Sequence, residues 1–228
     1  MYFLRRICLL TLACALASCG ALPSRQQDDY IARIELLALL QTFNADLLSH
    51  DSATLTLERW CADHRLAASA RIVARRMRDA AKPIPDELRV RLNIAADEPI
   101  HYRRVQLVCG ERVLSEADNW YAPDRLTPEM NRQLDTTDEP FGKVVKALGF
   151  QRRTIAVELL WSPLPSDWDT PGPGHARAYA DESLRIPHAV LRHQAILYTA
   201  QQQPFSGVVE TYTNAIFDFG SYARTLDR

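Results

Sequence analysis

The chain has 228 residues, with 27 lysine and arginine side chains against 28 aspartates and glutamates, a formal net charge of −1. So even a balance argues against nucleic acid as a partner, and the length is enough for one sizeable hydrophobic core. After the first 20 residues no apolar run reaches the roughly 18 residues a membrane-spanning helix needs.

The N-terminus reads first as an address. Arg5 and Arg6 precede an apolar stretch from Ile7 to Leu16 and the run Leu16, Ala17, Ser18, Cys19. A basic start, a short apolar core and small residues before a cut mark a secretory signal peptide, and that core is too short to span a bilayer. The run resembles the lipobox of bacterial lipoproteins, in which the cysteine, here Cys19, becomes the new N-terminus and carries the acyl chains of a lipid anchor. An ordinary secretory cut near Ala17, leaving Cys19 as a spare thiol, is the alternative. Gly20, rather than Asp, follows the cysteine, which by resemblance to sorted lipoproteins predicts the periplasmic face of the outer membrane. The expected organisation is a signal peptide over 1–18, a polar tether over 19–29 and a single domain over 30–228, with a net charge of about −3 once the signal is removed.

Cys8 and Cys14 leave with the signal, so Cys61 and Cys109 remain. An oxidising compartment permits a disulfide between them, and closing a loop of about 48 residues is worth roughly 3 to 4 kcal/mol on a chain-entropy argument. Two buried thiols packing as small hydrophobes is the other reading, and the sequence does not choose. No cysteine or histidine pair has zinc-site spacing, and the six histidines are scattered, so no metal is expected.

In chain order, Ile31, Ile34, Leu37, Leu40 and Phe43 recur at helical spacing within 30–48 and predict a core-facing stripe. Asp51 or Ser52 is a candidate N-cap for a helix over 54–64. Residues 66–77 fit either a strand or a helix. Pro83 and Pro85 punctuate the chain. Residues 100–108 and 113–122 have strand composition around Cys109 to Arg112, a hairpin signature. Two short helices are expected over 126–134 and 141–148, the second ending at Gly149. A strand follows over 154–161, then a proline-rich loop from Pro163 to Pro173, and a second hairpin over 190–199 and 205–217. Hairpins with few crossover helices predict the α+β class, an antiparallel β-sheet flanked by helices.

No P-loop, G-x-S-x-G, G-x-G-x-x-G or H-E-x-x-H motif is present, which argues against nucleotide and zinc-hydrolase chemistry. What stands out instead is polar residues inside apolar strands. Alternation puts Arg103 on one face with Val105 and Leu107, where an unpaired guanidinium is costly and its planar fork suits a carboxylate. Glu210 shares a face with Val208 and Tyr212, where a carboxyl can act as hydrogen-bonding group or general acid. A plain Glu210–Arg103 salt bridge is the bland alternative for both. Phe141 and Gly142 open a helix after Pro140, and could present backbone N–H groups to an anion or merely start the helix.

Taken in order, DSATLTLE (Asp51 to Glu58), RRVQL (Arg103 to Leu107), PFG (Pro140 to Gly142) and PFSGVVET (Pro204 to Thr211) resemble chorismate pyruvate-lyase and its wider fold family, over most of the mature chain. The resemblance implies an enclosed ligand pocket on an antiparallel sheet, in a family that includes ligand-binding domains of some transcription regulators. It implies that Arg103 grips an aromatic carboxylate, that the backbone N–H of Phe141 helps bind it, and that Glu210 is the catalytic group, assisting departure of the enolpyruvyl group as general acid. No metal or organic cofactor is implied. The expected function is a lipid-anchored protein that binds a small aromatic carboxylate and, if an enzyme, is a cofactor-independent carbon–oxygen lyase converting chorismate to 4-hydroxybenzoate and pyruvate. The alternative is a non-catalytic periplasmic ligand-binding protein, or an envelope-assembly scaffold using Trp168, Tyr179 and the proline-rich loop.

Overall fold

The computed structural model describes residues 24–77, 81–170 and 184–227, with side chains from residue 29 onward. The expected signal peptide, Cys19 and Tyr179 lie outside the described residues.

The first described element is a long helix, α1 (Ser24–Leu48), of about 37 Å at 1.5 Å per residue. It starts inside the stretch expected to be a tether. Its buried stripe is Arg33, Leu36, Leu40, Phe43 and Leu47. The predicted stripe is rotated from this one: Leu40 and Phe43 belong to both, but Ile31 is 45% exposed. A leucine-rich helix offers two adjacent apolar ladders, and packing on the sheet selects one.

Helix α2 (Ala53–Asp63) is capped by Ser52, whose hydroxyl accepts from the Leu55 N–H at 3.3 Å. The ambiguous stretch after it resolves as strand β1 (Ile72–Arg76). A short helix, α3 (Asp86–Arg91), follows Pro85. Strands β2 (His101–Cys109) and β3 (Arg112–Tyr121) form the expected first hairpin. Its turn needs Gly110, which has φ +58° and whose Cβ, if it had one, would lie 2.8 Å from Ala67 Cβ. Helix α4 (Pro128–Thr136) is capped by Thr127. Helix α5 (Phe141–Val144) tightens into a 3-10 turn that ends at left-handed Gly149. Strands β4 (Gln151–Leu159), β5 (Ala189–Tyr198) and β6 (Pro204–Thr213) complete the sheet.

Among the described residues six strands form one antiparallel sheet in the order β1-β2-β3-β6-β5-β4. The fold is α+β. The alternation read from the sequence is realised: Arg103, Val105 and Leu107 are buried, while Arg104 is exposed. On that face the main core joins α1 and α2 to the sheet, with Phe43 in edge-to-face contact with Trp60 (4.8 Å) and Tyr212 (5.2 Å). The opposite face holds a small second core of Leu88, Leu92, Trp120 and Ile196 under α3. Gly207 lets α3 come close there, since a Cβ would sit 3.3 Å from Leu88. Among the described residues no helix is long and apolar enough to cross a membrane.

Cys61, near the end of α2, and Cys109, at the end of β2, form a disulfide with Cα atoms 6.5 Å apart. It staples the helix that borders one end of the sheet face to the strand that carries Arg103.

Candidate functional site

Between the helix-covered face of the sheet and the first turns of α2 and α5 lies a cleft that leaves about 50 Å³ for the centres of water-sized molecules and opens to solvent at its mouth. Pockets for small ligands are mostly apolar with a few placed polar groups. Val105, Leu107, Ala117, Leu197 and Val208 supply the apolar floor. Phe141 and Phe150 give the cleft an aromatic side wall, backed by Tyr121, 5.3 Å from Phe141, and by Phe205, on which Phe141 stacks at 6.3 Å and which also meets Phe150. At the mouth Gly142 faces the start of α2, and a Cβ there would stand 3.3 Å from Ser52 Oγ.

Arg103, Phe141 and Glu210, singled out separately in the sequence, all line this one cavity. Cys61 and Cys109 lie away from its lining and serve the fold. The register explains the meeting. Arg103 of β2 pairs with Asn119 of β3, which pairs with Val208 of β6, so Glu210 is two residues further along on the same face.

Arg103 is 5% exposed. One terminal nitrogen, Nη2, donates to the Glu139 carbonyl at 3.1 Å, in the turn before α5. Its Nε and Nη1 are buried with no hydrogen-bond partner, and no carboxylate among the described residues is within ion-pair distance of it. Burial, and then the like charge of Arg76, pulls its pKa down from 12.5 to about 10, with Tyr121, Asp138 and Asp135 offsetting part of the shift. A buried cation with free donors is unfavourable until an anion takes them.

Glu210 is engaged differently. Arg152, at the start of β4, donates to Glu210 Oε2, and the Tyr212 hydroxyl donates to the same oxygen at 3.1 Å. The alternative of a Glu210–Arg103 bridge is thus not what forms. Burial opposes the charge on Arg152, but Glu210, Tyr212 and Asp51 outweigh it and raise its pKa. Burial and then Glu210 push the Tyr212 hydroxyl well above 10, so it stays a donor. Beside Glu210 across the β5–β6 ladder stands His193, fully buried, with Nε2 bonded to Asn44 Oδ1 of α1 at 2.8 Å. Asn119 completes the polar lining, its Oδ1 accepting from Ser206 Oγ at 2.6 Å.

Arg152, His193 and Asn119 escaped the sequence reading. The signal for His193 and Asn119 was the one that found Arg103, a polar residue within an apolar strand. Arg152 gave no such signal, because the strand was expected to begin at Thr154. Among the described residues no group of three or more His, Cys, Asp and Glu side chains is placed to hold a metal ion.

No protein-family model matches the chain. A curated relative, the uncharacterized protein y4mC of Sinorhizobium fredii, is 49% identical over 201 residues, covering 87% of this chain and 84% of the relative. Among solved structures, PhnF from Mycobacterium smegmatis matches with a TM-score of 0.47 and 13% identity over 76% of this chain and 68% of that one. A GntR-family transcriptional regulator from Enterococcus faecalis gives 0.39 and 13%, over 64% and 97%. The C-terminal domain of the histidine utilization repressor from Pseudomonas syringae gives 0.39 and 10%, over 64% and 93%. Likeness at this level carries no function across.

These findings correct the family resemblance drawn from the sequence. The solved structures from Enterococcus faecalis and Pseudomonas syringae are named as a transcriptional regulator and a repressor domain, not as chorismate pyruvate-lyases, and the curated relative is uncharacterized. The motifs that suggested the enzyme have structural reasons to be there. Pro140 precedes the first turn of α5, Gly142 fits where a side chain would press on Ser52, and Pro204 and Gly207 start β6 and admit α3.

Proposed function

The chain belongs to the family of the uncharacterized protein y4mC of Sinorhizobium fredii, and from its pocket we propose that it is a binding protein for a small aromatic carboxylate held by Arg103. The observation that carries this is the Arg103 guanidinium, buried in an apolar cavity with two nitrogens unpartnered. A carboxylate meets one edge of a guanidinium through two parallel bonds, here the free N–H of Nε or Nη1 beside the second N–H of Nη2, and the Phe141 and Phe150 side chains suit a ring. Binding rather than cleavage is the reading because Glu210 already accepts from Arg152 and Tyr212 at Oε2. Titration calorimetry of the purified protein with benzoate and 4-hydroxybenzoate tests it. Saturable binding that weakens at least about tenfold in Arg103→Met is expected; absence of binding by the wild-type protein refutes it.

Envelope location through Cys19 is part of the same proposal. The run Leu16 to Cys19 supports it, as does the Cys61–Cys109 disulfide, a bond that persists in oxidising compartments. Cell fractionation tests it: the protein should sediment with membranes, and Cys19→Ala should release it.

A further inference from the structure

Four charged side chains line the cavity: Arg103, Arg152, Glu210 and Asp51. They form two unlike poles. At one, Arg103 stands on β2 with no carboxylate partner among the described residues. At the other, Arg152 is flanked by two acids: its guanidinium is bonded to Glu210, and its backbone N–H donates to Asp51 Oδ1 at 2.9 Å. Among the described lining side chains, the first pole lacks a negative charge. The second already holds one more carboxylate than cation.

We infer that the cavity selects by charge, admitting a monocarboxylate with an uncharged far end and rejecting the matching dicarboxylate. This rests on the reading of Arg103 as the carboxylate holder. A first carboxylate reaching Arg103 fills free donors on a cation that has already lost its water. A second, at the far end of the same ligand, would approach Glu210 and Asp51, and among the described lining residues the cation there, Arg152, is spent. Juxtaposed like charges in a partly dry site disfavour binding strongly, which is how many sites reject a near-isosteric competitor. A neutral far end meets neither penalty. Arg76, the other cation near Arg103, lies outside the lining and donates to the Asp135 carbonyl, so it offers no second seat.

The test is a calorimetric panel on the purified protein with benzoate, 4-nitrobenzoate and terephthalate. The nitro group has nearly the shape of a carboxylate and no net charge, so the last two ligands separate charge from size. Benzoate and 4-nitrobenzoate should bind with similar affinity, and terephthalate at least about 100-fold more weakly. In Glu210→Gln, which keeps the shape and frees the charge of Arg152, the gap should narrow to within about tenfold. Asp51→Asn, at the exposed mouth, should narrow it in part and provides the same comparison if the first variant does not fold. Terephthalate binding as tightly as benzoate overturns the charge selection and leaves the carboxylate reading standing. Rejection of 4-nitrobenzoate together with terephthalate also overturns it, in favour of size. A gap unchanged in both variants removes Glu210 and Asp51 as its cause. Failure of all three ligands overturns the carboxylate reading itself.

Discussion

Arg152 and Glu210 stand on strands that do not touch, β4 and β6 with β5 between them, and still bond to each other across the cavity floor. Their side chains are 3% and 8% exposed. The pair ties an edge strand to the middle of the sheet, and it consumes the acid that would otherwise neutralise Arg103. The free guanidinium on β2 and the satisfied carboxylate on β6 are therefore two sides of one arrangement.

Breaking such a pair from one side leaves a buried charge alone, which costs about 3–5 kcal/mol, whereas replacing both members with apolar residues is often near neutral. Arg152→Leu and Glu210→Leu should each lower the stability in urea by about that amount. The double variant should lose much less than the sum. Additive losses would show that the two side chains are not coupled.

Arg103 carries the opposite expectation. Its burial with Nε and Nη1 unpartnered is unfavourable to the charge and lowers its pKa to about 10. Arg103→Met should therefore raise the stability of the unliganded protein by about 1 kcal/mol while removing carboxylate binding. A less stable variant would mean that the bond to the Glu139 carbonyl, rather than a ligand, is the reason for the arginine.

Local pattern told most where structure is local. Both hairpins follow from alternation and their turns, and the N-cap at Ser52 from its residue type. Helix α3 escaped because six residues after two prolines hold too few turns for a period to show. For α1 the helix was legible and its buried face only partly, since Ile34 and Leu37 make as good a ladder as Leu36 and Leu40. The cavity was half legible. Alternation puts Arg103 and Glu210 on inward faces, but which arginine Glu210 meets depends on the order β6-β5-β4, and no neighbouring residue encodes that order. The bulge between Thr154 and Ala156 further hides which of Arg152 and Arg153 faces inward.

His193 makes acid sensitivity measurable. Burial first, and then the charge of Arg152, lowers its pKa from 6.5 to about 4, with Glu210 pulling weakly the other way. The ring is thus neutral in the fold, with Nε2–H donating to Asn44. The unfolded chain takes up the proton near pH 6.5 and the folded one only near pH 4. Stability is complete above pH 6.5 and drains away as the pH falls through that window, by about 2 kcal/mol between pH 7.5 and pH 5. His193→Gln keeps a donor for Asn44 and should flatten the change in urea midpoint across those two values. An equally steep loss in the variant would assign the sensitivity to another group.

The disulfide joins Cys61 and Cys109 across a separation of 48 residues, both fully buried. Cross-linking a loop of that length restricts the unfolded chain by about 4 kcal/mol on the chain-entropy model. For a domain of this size each kcal/mol moves the melting temperature by about 2–4 °C. Cys61→Ala with Cys109→Ala should therefore melt roughly 10 °C below the oxidised protein. The loss should be felt at the cavity too, because the bond fixes the far end of α2, whose first turn forms the mouth, against the strand that holds Arg103. Calorimetric melting of the two forms decides: a difference under about 3 °C would mean that packing around Trp60 and Leu57 holds α2 in place without the bond.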